Sequence, residues 1–147
     1  MQDRTEAHEI DGGLGHGAMT IAIQNRSSSR CILQGIPTLK FLGKSESPFS
    51  VSVCSNCADY LFSGQPVDEI RLEPKAIAYV VLGYDINDGA HGEIACRTAV
   101  AFSLRLQAWN EHLRFRPQDR DGMRSCGPVN ITPFLAKPPV DGDLPHR

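Results

Sequence analysis

The stretch AVAFSLRLQ, residues 99–107, decides the fold class. In an extended chain Val100, Phe102, Leu104 and Leu106 fall on one side, and Ala101, Ser103, Arg105 and Gln107 on the other. Side chains alternate across a strand with a period of two, whereas an amphipathic helix brings its apolar positions round only every three to four residues. The stretch therefore predicts a half-buried strand. AWNEH (108–112) then supplies a turn, and LRFRP (113–117) alternates again as the returning strand of a β-hairpin.

Working upstream, AIAYVVLGY (76–84) is almost continuously apolar, the mark of a central strand covered on both faces. VDEIRLEP (67–74) is a strand ending in a turn at Glu73 and Pro74, and AMTIAIQN (18–25) places Met19, Ile21 and Ile23 on one face. CILQGIPTLKFL (31–42) is a strand interrupted at Gly35 and Pro37, and PFSVSV (48–53) turns Phe49, Val51 and Val53 inward. VNITPFL (129–135) is the last strand, following a turn at Gly127 and Pro128. ADYLF (58–62) is long enough for one helical turn, and DINDGAHGE (85–93) is a loop. Seven or eight short strands with no amphipathic helix predict an all-β fold, an antiparallel β-sandwich. Residues 1–16 read as a flexible lead-in, 17–136 as the sandwich domain, and 137–147 as a proline-rich tail.

A chain of 147 residues with 41% hydrophobic and 22% charged side chains has the usage of one globular domain. Fifteen basic against 17 acidic residues, a net charge of −2, provide no global field for nucleic acid or an anionic membrane. No apolar run approaches the roughly 18–20 residues of a membrane span, and MQDRTEAHEI lacks the apolar core of a signal peptide. Five cysteines spread along the chain match an exported domain with two bridges, so the expected location is secreted or periplasmic, with any leader already removed.

Cys54 and Cys57 form a CxxC pair. Zinc needs a second pair, and only the scattered Cys31, Cys96 and Cys126 remain. A thioredoxin-like site needs a following helix, for which ADYLFSGQP is too short. The pair is thus expected to be a structural cross-link. Cys54 bonded to Cys57 would contribute about 2 kcal/mol at most, and Cys31 bonded to either about 3.5 kcal/mol, on the chain-entropy estimate. Both connectivities stay open. Cys96 and Cys126 flank the hairpin, so the ends they mark should meet; that bond closes a loop of about 31 residues and contributes about 3.7 kcal/mol. The fifth thiol is expected to be buried. The competing reading is a metal- or thiol-dependent protein using Cys54 and Cys57.

Other motifs lack their context. GLGHG (13–17) has no strand before it and no helix after it, and GKS (43–45) has Thr38 where a P-loop needs glycine. His8, His16, His91, His112 and His146 sit in tails, loops or the hairpin turn, and no histidine and methionine pair follows Cys126 to make a copper site. Neither GxSxG nor HExxH occurs. No catalytic residue, metal or cofactor is expected. Arg105, Arg114, Arg116, Arg120 and Arg124 gather around the last hairpin, where Glu111, Asp119 and Asp121 dilute them into a solvated face. Asn25 and Asn130 begin glycosylation-type triplets. Tyr60, Leu61 and Phe62 either anchor a partner at a contact loop or fold back to plug the sandwich end.

Three segments, NRSSSRCILQGIPTLKFL (25–42), IRLEPKAIAYVVLGY (70–84) and SCGPVNITPF (125–134), together resemble DUF4232, a bacterial extracytoplasmic domain of unknown function. The resemblance runs in order over roughly residues 16–135. It implies an immunoglobulin-like sandwich on the outer side of a bacterial membrane and no known activity. The chain departs from that pattern at Lys75, where the family turn has glycine, in carrying the extra pair Cys54 and Cys57, and in lacking an N-terminal cysteine to partner Cys31. The combined expectation is a non-enzymatic module with a binding or structural role at the cell envelope. Its partner would be a protein or an envelope component.

Overall fold

The computed structural model describes residues 5–12, 18–55, 67–85, 96–106, 111–117 and 120–137. They form twelve strands: β1 (Thr5–Gly12), β2 (Ala18–Asn25), β3 (Cys31–Leu33), β4 (Thr38–Leu42), β5 (Pro48–Phe49), β6 (Val53–Ser55), β7 (Ile70–Leu72), β8 (Ile77–Asp85), β9 (Cys96–Ala99), β10 (Ala101–Leu106), β11 (Glu111–Phe115) and β12 (Met123–Ile131). One sheet has the order β1-β2-β8-β12-β6, with β9 also paired to β12; a second has the order β11-β10-β4-β5; β3 and β7 form a third, two-stranded sheet. Every pairing is antiparallel except β6 with β12. The fold is an antiparallel β-sandwich.

The core lies between the sheets. Met19, Ile21 and Ile23 of β2, Ala78, Val80 and Leu82 of β8, and Val129 and Ile131 of β12 meet Phe41 of β4, Phe102 and Leu104 of β10, and Leu113 and Phe115 of β11. Phe102 is the hub: its ring stacks on Phe115 at 5.0 Å between centroids and meets Phe41 edge-on at 5.4 Å. Such pairs add about 1 kcal/mol each beyond the area they bury. β8, flanked by β2 and β12, is the central strand that its unbroken apolar run requires, and Val80, Val81 and Leu82 are wholly buried.

The strand count exceeds the seven or eight expected because the chain changes sheets within stretches that read as single strands. The opening stretch is the clearest case. Val100 divides it: β9 pairs with β12 in one sheet, and β10 pairs with β4 and β11 in the other. The crossing is held by the Val100 amide donating to the Leu42 carbonyl at 2.8 Å. Alternation restarts there, leaving Val100 half-buried and Ala101 buried, while Phe102, Leu104 and Leu106 keep their inward places. Gly35, at φ +88°, and Pro37 similarly separate β3 from β4, which belong to different sheets.

Four further expectations change. Thr5–Gly12, read as part of a flexible lead-in, is strand β1 and pairs with β2 along its length. Gly127 and Pro128 do not turn the chain; β12 runs through them, with a register shift against β8 between Cys126 and Val129. At such a bulge the ladder is interrupted, so the N–H that proline lacks is not needed. β2 is buried on both faces, since Thr20 and Ala22 are covered as well as Met19, Ile21 and Ile23. Val53, expected inward, is 39% exposed: β6 is a three-residue strand at the edge of its sheet. The expected helical turn at 58–62, most of the loop at 85–93 and the tail beyond 137 lie outside the described residues.

Candidate functional site

Asn25 is fully buried and uses its whole amide. Its Nδ2 donates to the Ser29 and Leu72 carbonyls, both at 2.8 Å, and its Oδ1 accepts from the Ser27 amide at 2.9 Å and the Ser27 hydroxyl at 2.7 Å. Its backbone is held too: the amide donates to Ala76 O at 3.0 Å, and the carbonyl accepts from Lys75 N at 2.7 Å. Gln24 Nε2 reaches Lys75 O at 3.1 Å. One asparagine thus ties the serine turn at 27–29 to the Leu72–Ala76 turn, 47 residues away. Only an amide supplies two donors and an acceptor at these places.

Lys75 sits in that second turn at φ +71°, a left-handed conformation that a Cβ disfavours. Lys75→Gly is expected to raise stability by about 1 kcal/mol, a rise in Tm of about 2–4 °C by thermal melt. A fall in Tm would show that the lysine side chain contributes more than its backbone costs.

Cys96 and Cys126 face each other directly across β9 and β12 and are bonded, with S–S 1.98 Å and Cα–Cα 4.2 Å. Cys54, on β6 opposite Asn130, is disulfide-bonded to a partner outside the described residues. Cys31 is free and buried, with its Sγ 3.9 Å from Ser29 O. A cysteine oxidised as Cys54 is cannot offer the thiolate that a metal site needs. Among the described residues no group of three or more histidine, cysteine or acidic side chains is placed to hold a metal ion. Cys57, the contact loop Tyr60, Leu61 and Phe62, and His16, His91 and His146 lie outside the described residues.

The structure divides the arginines. Arg105 and Arg114 project from the outer face of the β11-β10-β4-β5 sheet, and Arg116 follows at the end of β11. Arg120 stands in the turn before β12, and Arg124 pairs with Thr98 across β12 and β9. Two members of the face were missed by reading around the hairpin alone. Lys40 lies on β4 and Glu46 in the turn after it, and Glu46 pairs with both Arg114 and Arg116. The outward position of Lys40 in TLKFL, between Leu39 and Phe41, carried the signal. His112 is exposed on the same face, with Nδ1 3.4 Å from the Ser103 hydroxyl.

The two glycosylation-type asparagines are structural. Asn25 is 0% and Asn130 8% exposed, so neither amide is open to a glycan in the folded chain.

The three segments that carry the resemblance converge in space. The first and second are joined through Asn25, and the second and third pair as β8 and β12. Residues 3–134 match the family described as "Domain of unknown function (DUF4232)". The chain belongs to the DUF4232 family. No curated protein and no solved structure matches it. In this DUF4232 chain the family-like motifs build turns and strand pairings. Among the described residues, no helix is long and apolar enough to cross a membrane.

Proposed function

We propose that this DUF4232 chain is a non-enzymatic, extracytoplasmic module with an immunoglobulin-like sandwich, serving a binding or structural role at the bacterial cell envelope. The observation that carries the reading is the state of its cysteines. Cys96 and Cys126 are bonded and Cys54 is oxidised, and such bonds persist in oxidising compartments and are rare in the cytosol. The immunoglobulin-like part draws support from the chain's repeated crossings between sheets, from β5 to β6, β9 to β10 and β11 to β12, as Greek-key sandwiches do. A rigid frame of this kind leaves recognition to its exposed faces and loops.

Thiol titration of protein exported to an oxidising compartment, and purified without reductant, tests the reading. The folded protein is expected to show no reactive thiol, and the unfolded protein one, Cys31. Three thiols together with a bound zinc or copper ion would replace this reading with a metal- or thiol-dependent role for Cys54 and Cys57.

A further inference from the structure

The turn GKSES (43–47), which joins β4 to β5, has a backbone its residues do not favour. Ser45 at φ +58° and Glu46 at φ +56° are both left-handed. Hairpin turns with two such residues select asparagine and glycine, because a Cβ disfavours this conformation. Three backbone bonds nevertheless close the turn. The Gly43 amide donates to the Ser47 carbonyl at 2.8 Å, the Glu46 amide to the Gly43 carbonyl at 2.7 Å, and the Ser47 amide to the Lys44 carbonyl at 3.3 Å. Strain of this kind persists only where the surroundings impose it.

What imposes it comes from two strands away. Arg114 pairs with Oε1 of Glu46 and Arg116 with Oε2, so both carboxylate oxygens are fixed from β11 and its end. The sheet order puts β10 between β4 and β11, at about 4.8 Å per strand. The ion-paired side chains therefore reach across β10 on its outer side. Burial on that side rises toward the turn. Lys40 and Arg105 are exposed and Ser103 is half-buried, whereas Leu42 and Ala101, which pair in register beside the turn, are 5% and 3% exposed. Neither belongs to the core cluster between the sheets. An apolar step is thus covered at one end of the outer face, under the ion-paired turn.

The opposing effects are similar in size. Ion pairs between exposed side chains are weak and are screened by salt, and two left-handed residues with a Cβ work against them. We propose that residues 43–47 form a latch over the outer side of β10. Glu46 on Arg114 and Arg116 holds it shut. When those pairs are screened or lost, the strain at Ser45 and Glu46 opens it and uncovers Leu42 and Ala101. The latch goes beyond the binding-module reading, since it gives this face two states.

Amide hydrogen exchange on the full chain, at about 50 mM and about 1 M sodium chloride, tests it, because local opening is read residue by residue and the Debye length falls to about 3 Å at the higher salt. The Gly43 and Ser47 amides are expected to lose protection at least about fivefold at high salt, while Tyr79 and Leu135, bonded to each other in the other sheet, stay within about twofold. Glu46→Gln is expected to be as open at low salt as the parent is at high salt, and Glu73→Gln, which frees the exposed Arg30 instead, to behave as the parent. Ser45→Asn/Glu46→Gly relieves the backbone and removes the carboxylate together, so its turn should stay shut at both salt levels. Thermal melts confirm that the variants fold, and the salt series on the parent needs no variant. The latch is overturned if the parent's Gly43 and Ser47 amides exchange equally at both salt levels, if Glu46→Gln keeps the parent's protection, or if Ser45→Asn/Glu46→Gly is as open as Glu46→Gln. The thiol titration is independent of these outcomes, so a failure here leaves the cysteine-based reading standing.

Discussion

Asn25→Ala is expected to destabilise the fold by about 4 kcal/mol, because four side-chain hydrogen bonds of a wholly buried residue are lost together. A domain of this size has roughly 5–15 kcal/mol in total, so the loss lowers Tm by roughly 10 °C. Part of the cost is the Leu72 carbonyl, which is left without its donor inside the protein. Asn25→Asp should be worse near neutral pH, since it removes both donors and aims a negative charge at the Ser29 and Leu72 carbonyls. Burial raises the introduced carboxyl's folded-state pKa above its unfolded value, so the folded state binds the extra proton. The deficit of this variant should therefore shrink as pH falls through that raised pKa. Urea denaturation of both variants at neutral and mildly acidic pH provides the check. A loss under about 1 kcal/mol for alanine would mean that water replaces the amide at little cost.

Replacing Cys96 and Cys126 together with alanine is expected to cost about 3.7 kcal/mol by the chain-entropy estimate, since the bond closes a loop spanning the whole β10–β11 hairpin. Alanine is the better probe than serine, because Cys126 is 0% exposed and a hydroxyl there would need a partner. The urea m-value should rise as well, for an unfolded chain freed of the cross-link exposes more surface. Unchanged stability and an unchanged m-value would show that the bond does not form in solution. The cross-link also bears on the crossing of sheets. It pins the first residue of β9 to β12; at the other end of that ladder, where Ala99 pairs with Met123 and the chain leaves for β10, Gly122, at φ +95°, leaves no room for a Cβ, which would lie 2.5 Å from the Ala99 carbonyl oxygen.

Much of the frame was readable from residues one at a time. The unbroken run at 76–84 placed β8 in the middle of its sheet, and the alternation at 102–106 assigned the inward and outward sides of β10 correctly. Reading failed where local signals carry two meanings. Glycine and proline at 127–128 mark a turn in one setting and a bulge in another, and only a partner strand decides between them. The polar, glycine-containing N-terminal stretch resembled a tail, yet Thr5–Gly12 pairs with β2 through backbone groups that any residue but proline supplies. Of the basic face, the arginines near the hairpin were visible, whereas Lys40 and Glu46 entered only when β4 was laid beside β10.

By itself the sequence determined the class of fold and the inward side of β10 at Phe102, Leu104 and Leu106, because a period of two and a lack of amphipathic helices follow from residue order alone. It also determined that five cysteines must leave at least one outside an internal bond. Which strands neighbour one another, that Asn25 joins turns 47 residues apart, and that Lys40 stands in a row with Arg114 were decided by the tertiary structure. The physical reason is that buried amides and outward charges act across strands about 4.8 Å apart in space, at sequence separations that no local pattern encodes.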